Sequence, residues 1–274
     1  ARQVGKTTVL KELYSFLNGK NKALFLDLDV FTNFEKVSSF ENLVNTLKLA
    51  GYQENQKDFF YLFLDEFQRY KDLSIVMKNV YDSFDNIKIY ASGSSSIMIK
   101  DQIQESLAGR KIINILHPLD FEEFLWFKDS EIKARNTKKL FGEGLHKPTS
   151  ALLELLKEFM VFGGYPEVVL QKTGKDKIEV LKSVFDLYVK KDLVEYLKVE
   201  KILQVKKLIE SLAINNGKKI KYDEIAALCS LKYREVKDYI EILQETYLVY
   251  VLRPFFTNKN KELVKVPKVY FIDN

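Results

Sequence analysis

The chain has 274 residues, 46% of them hydrophobic, and a formal net charge of +5. That length holds one large domain or two of ordinary size, and the apolar content excludes a disordered chain. No apolar run approaches the ~18 residues of a membrane span and no signal-peptide pattern opens the sequence, so we expect a cytoplasmic protein without membrane contact.

The single cysteine, Cys229, cannot form an intrachain disulfide and reads as a small core residue. His117 and His146 have no metal-ligand spacing to each other or to Cys229, so a zinc site is not expected. Residues 200–274 hold 14 Lys or Arg against 10 Asp or Glu. Only six of the cations in the whole chain are arginines, so lysine abundance by itself is a weak argument for nucleic-acid binding.

In chain order, residues 7–18 carry Val9, Leu10, Leu13, Phe16 and Leu17 at helical spacing. "KALFLDLDV" (22–30) predicts a strand and residues 40–50 an amphipathic helix. "FFYLFLDE" (59–66) is a continuous apolar run ending in two carboxylates, as expected of a strand buried on both faces. Helical period returns over 73–84. "IKIYASGSSS" (87–96) predicts a strand and a small polar turn. "RKIINILHPL" (110–119) predicts a further strand closed by Pro118, after which Asp120 and Glu123 form a capping box for "DFEEFLWF". Strands alternating with helices indicate βαβ units and a parallel sheet.

The polar stretch 128–149 reads as a linker or loop. Helices are predicted over 150–161 and 174–197, separated by "FGGYPEVV". From about residue 200 the pattern becomes three helices: "LQVKKLIESLA", "YDEIAALC" with Asp223 as its cap, and "KYREVKDYIEILQETYLV" with Val236, Ile240 and Leu243 on one face. Two strand-like runs follow, "YLVYVLRPFF" and "LVKVPKVYFID". Three helices and a β-hairpin make a winged helix-turn-helix. The predicted division is therefore 1–128, 129–199 and 200–274.

Four stretches carry chemistry. In "VGKTT", Gly5 lets the backbone approach phosphate and the following helix presents its N–H groups. Lys6 would reach the β- and γ-phosphates, and Thr7 would offer its hydroxyl to Mg²⁺. In "FYLFLDEFQ", Asp65 would hold Mg²⁺ through water and Glu66 would orient and deprotonate the attacking water. Both stand where open α/β sheets bind ligands, outside the carboxyl ends of the strands. In "YASGSSS", Ser92 or Ser94 can touch the γ-phosphate or the water, or simply form a turn. Arg110 of "LAGRKI" can stabilise transition-state charge, in cis or towards a neighbouring subunit, or pair on the surface with Glu105 or another acid.

Together these stretches resemble one family of bacterial and archaeal AAA+-superfamily ATPases. The resemblance rests on Arg2-Gln3-Val4-Gly5-Lys6-Thr7-Thr8, Asp65-Glu66-Phe67-Gln68, Gly93-Ser94-Ser95-Ser96, Leu107-Ala108-Gly109-Arg110, Pro118 to Leu125, and Gly163-Gly164-Tyr165-Pro166-Glu167. It implies an α/β fold: a P-loop AAA+-type parallel sheet with a helical lid, followed by the winged-helix domain. It implies nucleotide contacts from Val4, Gly5, Lys6, Thr7 and Thr8, with ATP and Mg²⁺ as cofactors, and makes Pro166 a candidate for the adenine. It also implies that the first strand and the first P-loop glycine lie before Ala1, and a further domain after Asn274. On that reading an apolar groove is expected between the strands at 61–65 and 110–116 or their neighbours.

For the C-terminal region, duplex DNA is the partner weighed. Lys232, Arg234 and Lys237 would start the recognition helix, and Lys259, Lys261, Lys265 and Lys268 would line the wing. Glu235, Asp238, Glu241 and Glu245 dilute that charge. The expected function is Mg²⁺-dependent ATP hydrolysis coupled to movement of the winged helix. The alternatives are a nucleotide-gated DNA- or protein-binding module with negligible turnover, and a docking protein with a vestigial P-loop.

Overall fold

The sheet is built around its most apolar strand. In the computed structural model, which describes residues 3–19, 22–70, 72–93, 107–128, 150–196, 199–255, 257 and 265–273, β2 (Phe60–Asp65) lies between β1 (Ala23–Asp27) and β3 (Ile87–Ala91). Both pairings are parallel. The chain divides into two bodies, residues 5–116 in one and residues 117–274 with 1–4 in the other.

In the first body, register sets Leu24, Leu62 and Ile89 abreast, and Phe25, Phe63 and Tyr90 abreast. Successive side chains of a strand point to opposite faces, so these are the two faces of the sheet. One face carries Leu26, Leu62 and Leu64 against Leu43 and Leu47 of α3 (Phe40–Leu49) and Met77 and Val80 of α4 (Leu73–Ser83), with the short α2 (Phe31–Glu35) before them. The other stacks Phe63 on Phe25 and Tyr90, with Tyr14 of α1 (Lys6–Asn18) edge-on to Phe25 and Phe63. Covering on both faces is why β2 reads as an unbroken apolar run. Each fully buried Leu or Phe in it contributes about 1.5–3 kcal/mol. Helix α3 starts where Ser39 accepts from Asn42 N–H at 3.1 Å.

Residues 110–119 are not a strand. They run without regular secondary structure, and their apolar side chains face solvent: Ile112 is 89% exposed and Ile113 53%. A strand exists through its ladder partner, and among the described residues β3 is an edge that pairs with β2 alone. In place of the groove expected between the strands at 61–65 and 110–116 or their neighbours stands an exposed apolar segment.

The second body begins with the capping box at Asp120. Its carboxylate accepts from Glu123 N–H at 2.8 Å while the Glu123 carboxylate accepts from Asp120 N–H at 3.0 Å, which starts α5 (Phe121–Phe127). There follow α6 (Ser150–Phe162), α7 (Pro166–Leu170) and α8 (Gly174–Leu187), which widens into a π-helical segment over Tyr188–Tyr196. The linker predicted over 128–149 lies almost wholly outside the described residues. Three helices close the chain, α9 (Ile202–Ile214), α10 (Tyr222–Cys229) and α11 (Tyr233–Glu245), followed by β4 (Val249–Leu252) antiparallel to β5 (Lys268–Phe271). Their core joins Val205, Leu208, Leu212, Cys229, Val236, Ile240, Leu243, Val249 and Val269, and it also takes in Tyr188, Val189 and Leu193. Asp223 is not the cap of α10. The cap position is Lys221, and Asp223 sits inside the first turn, where a carboxylate complements the positive helix end. Among the described residues no helix is long and apolar enough to cross a membrane.

Candidate functional site

The carboxyl ends of the strands hold the candidate residues of the first body. Asp27 and Asp65 are register partners at the ends of β1 and β2. Asp27 is committed to a turn: its carboxylate accepts from Asp29 N–H at 2.9 Å, and its carbonyl from the Asn33 amide at 3.0 Å. Asp65 is buried and accepts from the Ser92 hydroxyl, and from Glu66 N–H at 3.2 Å. Ser92 is held in turn by the ladder, its N–H donating to Leu64 O at 2.9 Å and its carbonyl accepting from Phe67 N–H at 2.9 Å. The strand end of β3 is thereby tied to the aspartate of β2.

After Asp65 the chain turns sharply. Glu66 takes the left-handed conformation (φ 56°, ψ 41°) and Phe67–Arg69 forms a 3₁₀ turn. Phe67 anchors that turn in the core. Gln68 is 1% exposed, and its amide donates to Glu66 Oε2 at 2.5 Å. Arg69 reaches back to Asp29, 2.7 Å from its carboxylate.

The Gly-Lys-Thr residues open α1. Gly5 caps the helix with φ 88° and ψ 15°, a conformation that glycine adopts without steric cost, and a Cβ there would meet nothing within 4 Å. Val4 directly precedes it, and Lys6, Thr7 and Thr8 form the first turn, which contains no acidic side chain. The positive end of the helix is thus not neutralised from within its own first turn.

The remaining candidates lie elsewhere. Arg110 pairs with Asp82 in the last turn of α4, at 2.8 Å, rather than with an acid at the strand ends. Because α4 returns the chain from the end of β2 to the start of β3, Asp82 stands at the opposite edge of the sheet from Asp65. Ser94 lies outside the described residues, as do His146, Lys259 and Lys261. Pro166 belongs to the second body, at the first position of α7, where its missing N–H costs nothing.

The loop before Pro166 is clamped. Gly164 N–H donates to the Asp273 carboxylate, 2.9 and 3.0 Å from its oxygens, and Gly164 O accepts from Leu119 N–H at 2.8 Å. A Cβ on Gly164 would stand 2.0 Å from Leu119 O, and Gly163 has φ +73°. Burial, then the negative charges of Asp273 and Asp192, push the Tyr165 hydroxyl up to about 12. Burial likewise raises Tyr188, whose hydroxyl bonds with Thr246 at 2.8 Å. On α11, Lys237 lies over the rings of Tyr222 and Tyr233 at 5.4 and 4.6 Å, and Glu235 pairs with Lys201 at 2.6 Å.

Residues 1–125 match the AAA domain family. The similarity to AAA domains covers this first part of the chain. Residues 153–274 match a domain of unknown function (DUF8612). An uncharacterized protein of Methanocaldococcus jannaschii is 30% identical over 258 residues, covering 91% of this chain and 55% of the relative. A second from the same organism is 24% identical over 290 residues, covering 99% of this chain and 59% of the relative. An uncharacterized protein of Haemophilus influenzae is 24% identical over 284 residues, covering all of this chain and 66% of its own length. The chain thus spans between about half and two thirds of these curated relatives. Among solved structures it is similar to a Walker-type ATPase of Pyrococcus abyssi, with a TM-score of 0.56 and 15% identity over 99% of this chain and 87% of that one, which shows a shared fold.

Mg²⁺ and ATP fit what this sheet edge offers. Among the described residues no cluster of three or more His, Cys, Asp or Glu side chains could cage a metal by itself. A Mg²⁺ ion bound with nucleotide needs no such cage: one or two carboxylates and the phosphates suffice. Two features at this edge are not apparent from motif reading. Ser92 spends its hydroxyl on Asp65, and Gln68, quoted in the motif without a role, is a buried amide aimed at Glu66.

Proposed function

We propose that the chain binds ATP with Mg²⁺ at the turn Val4–Thr8 and hydrolyses it. The observation that carries this reading is the strand-end pair: a buried Asp65 held by Ser92, followed by Glu66 turned out of the strand by its left-handed backbone. In this reading Gly5 and the N–H groups of the first turn of α1 cradle the phosphates, and Lys6 places its charge on the β- and γ-phosphates. The Thr7 hydroxyl and Asp65 would hold Mg²⁺, which when bound neutralises charge on the phosphate oxygens. Glu66 orients the attacking water and accepts its proton at a carboxylate oxygen. Ser94 would contact the γ-phosphate or that water. Arg110, at the far edge of the sheet from Asp65, is offered to a neighbouring subunit, and Pro166 to the adenine.

The three C-terminal helices and their antiparallel strand pair are read as a winged helix-turn-helix moved by the ATP cycle. Duplex DNA is the partner to test, on the strength of Lys232 at the cap of α11 and of Arg234 and Lys237 in its first turns. The experiment is phosphate release by the full-length protein with Mg²⁺-ATP, with and without duplex DNA. Glu66→Gln should keep ATP binding and lose turnover. Binding with no turnover in any form would leave the gated module in place of the ATPase.

A further inference from the structure

We infer that Gln68 is the positioning residue for Glu66: its buried amide fixes the carboxylate in the orientation that aims it at the attacking water. The inference rests on the ATPase reading above and names a part of the same site. The chain around Glu66 is built to project one side chain. Strand β2 ends at Asp65, the backbone then enters a left-handed conformation that non-glycine residues seldom adopt, and the 3₁₀ turn Phe67–Arg69 follows at once. Such a conformation persists where its surroundings over-determine it. Here Phe67 is buried in the core, Phe67 N–H donates to Ser92 O at 2.9 Å, and Arg69 N–H donates to Glu66 O at 3.1 Å.

That scaffold fixes the Glu66 backbone but leaves three side-chain torsions to be set. Gln68 sets them. An amide that is 1% exposed must spend its donors inside the protein, and this one donates to Glu66 Oε2 at 2.5 Å. This neutral donor holds the acid without placing a second charge beside the phosphates. A glutamine two residues further on is the right length for this because the left-handed turn folds position 68 back beside position 66.

The test is steady-state and single-turnover kinetics of the full-length protein. Gln68→Met keeps the length of the side chain and removes its donors. The expected result is a fall in kcat of about 10- to 100-fold, the scale of a misplaced reacting group, with KM for ATP and equilibrium ATP affinity within about twofold of wild type. Gln68→Glu, which keeps the shape and a polar tip, should show the same split, so the proposal stays testable if the Met variant fails to fold. In the Glu66→Gln background, Gln68→Met should add less than a further twofold loss of single-turnover rate, because the group it positions is gone. The proposal is overturned if kcat survives within twofold. It is also overturned if ATP affinity falls in step with kcat, or if the loss is as large in the Glu66→Gln background as in wild type. If Glu66→Gln itself leaves turnover intact, the ATPase reading falls and this proposal falls with it. Loss in Glu66→Gln without loss at position 68 sinks the positioning role alone.

Discussion

Replacing Gly164 by alanine should break the joint between the residues before α5 and the end of the chain. The added methyl would stand 2.0 Å from Leu119 O and 3.0 Å from Leu119 N and C. All three are backbone atoms, so no rotamer change relieves the clash, and the two backbones must separate. Separation breaks the Leu119 N–H bond to Gly164 O at 2.8 Å and the Gly164 N–H bond to Asp273 at 2.9 Å. A neutral backbone bond is worth about 1 kcal/mol and one to a carboxylate about 1.5–3. The packing forced apart adds about 1–3 kcal/mol. The expected loss is about 3.5–7 kcal/mol, a large part of the 5–15 or so that holds a typical domain. The chain has one tryptophan, Trp126, in α5 of the same body, so its fluorescence during urea unfolding reports the change. Gly174→Ala is the control. Its Cβ would meet only the Phe162 ring at 3.5 Å at the start of α8, so it should be neutral or stabilise by up to ~1 kcal/mol. A Gly164→Ala protein within ~1 kcal/mol of wild type would refute the close approach of the two backbones.

Leu62→Ala in the centre of β2 should destabilise the first body by about 2–5 kcal/mol, read as a lowered midpoint in thermal or denaturant unfolding. Ser92→Ala should cost about 1–3 kcal/mol in the same assay, because buried Asp65 loses a donor. Glu158 gives a pH signature. Its burial, which favours the neutral acid, is outweighed by hydrogen bonds from Lys128 at 2.7 Å and from Lys177, so its folded pKa lies below the ordinary value. The stabilisation is therefore complete above the unfolded pKa of about 4.3 and is lost as pH falls through the folded one. Urea titrations across pH should show Glu158→Gln less stable than wild type near neutrality and converging with it in acid.

The strand that carries Asp65 and Glu66 is legible in sequence because β2 is apolar on both faces and its end is marked by two acids. The Asp120–Glu123 box is legible because both partners sit within one helical turn, and Val236, Ile240 and Leu243 because a one-sided helix repeats its pattern. Residues 110–119 mislead for a definite reason. A β-branched run states that a segment favours extension, not that a neighbour stands beside it, and here Ile112 and Ile113 meet solvent. The role of Gln68 is hidden because a left-handed residue at Glu66 brings positions 66 and 68 together, and no periodicity encodes that fold-back. The reason for Gly163 and Gly164 is hidden by distance, since Asp273 lies 109 residues further along the chain.

The most direct test of the account is phosphate release by the full-length protein with Mg²⁺-ATP, set beside Lys6→Ala and Glu66→Gln. The account predicts turnover in the wild type that is lost in both variants, with ATP binding lost in Lys6→Ala and kept in Glu66→Gln. Wild-type phosphate release no greater than that of the two variants would contradict it.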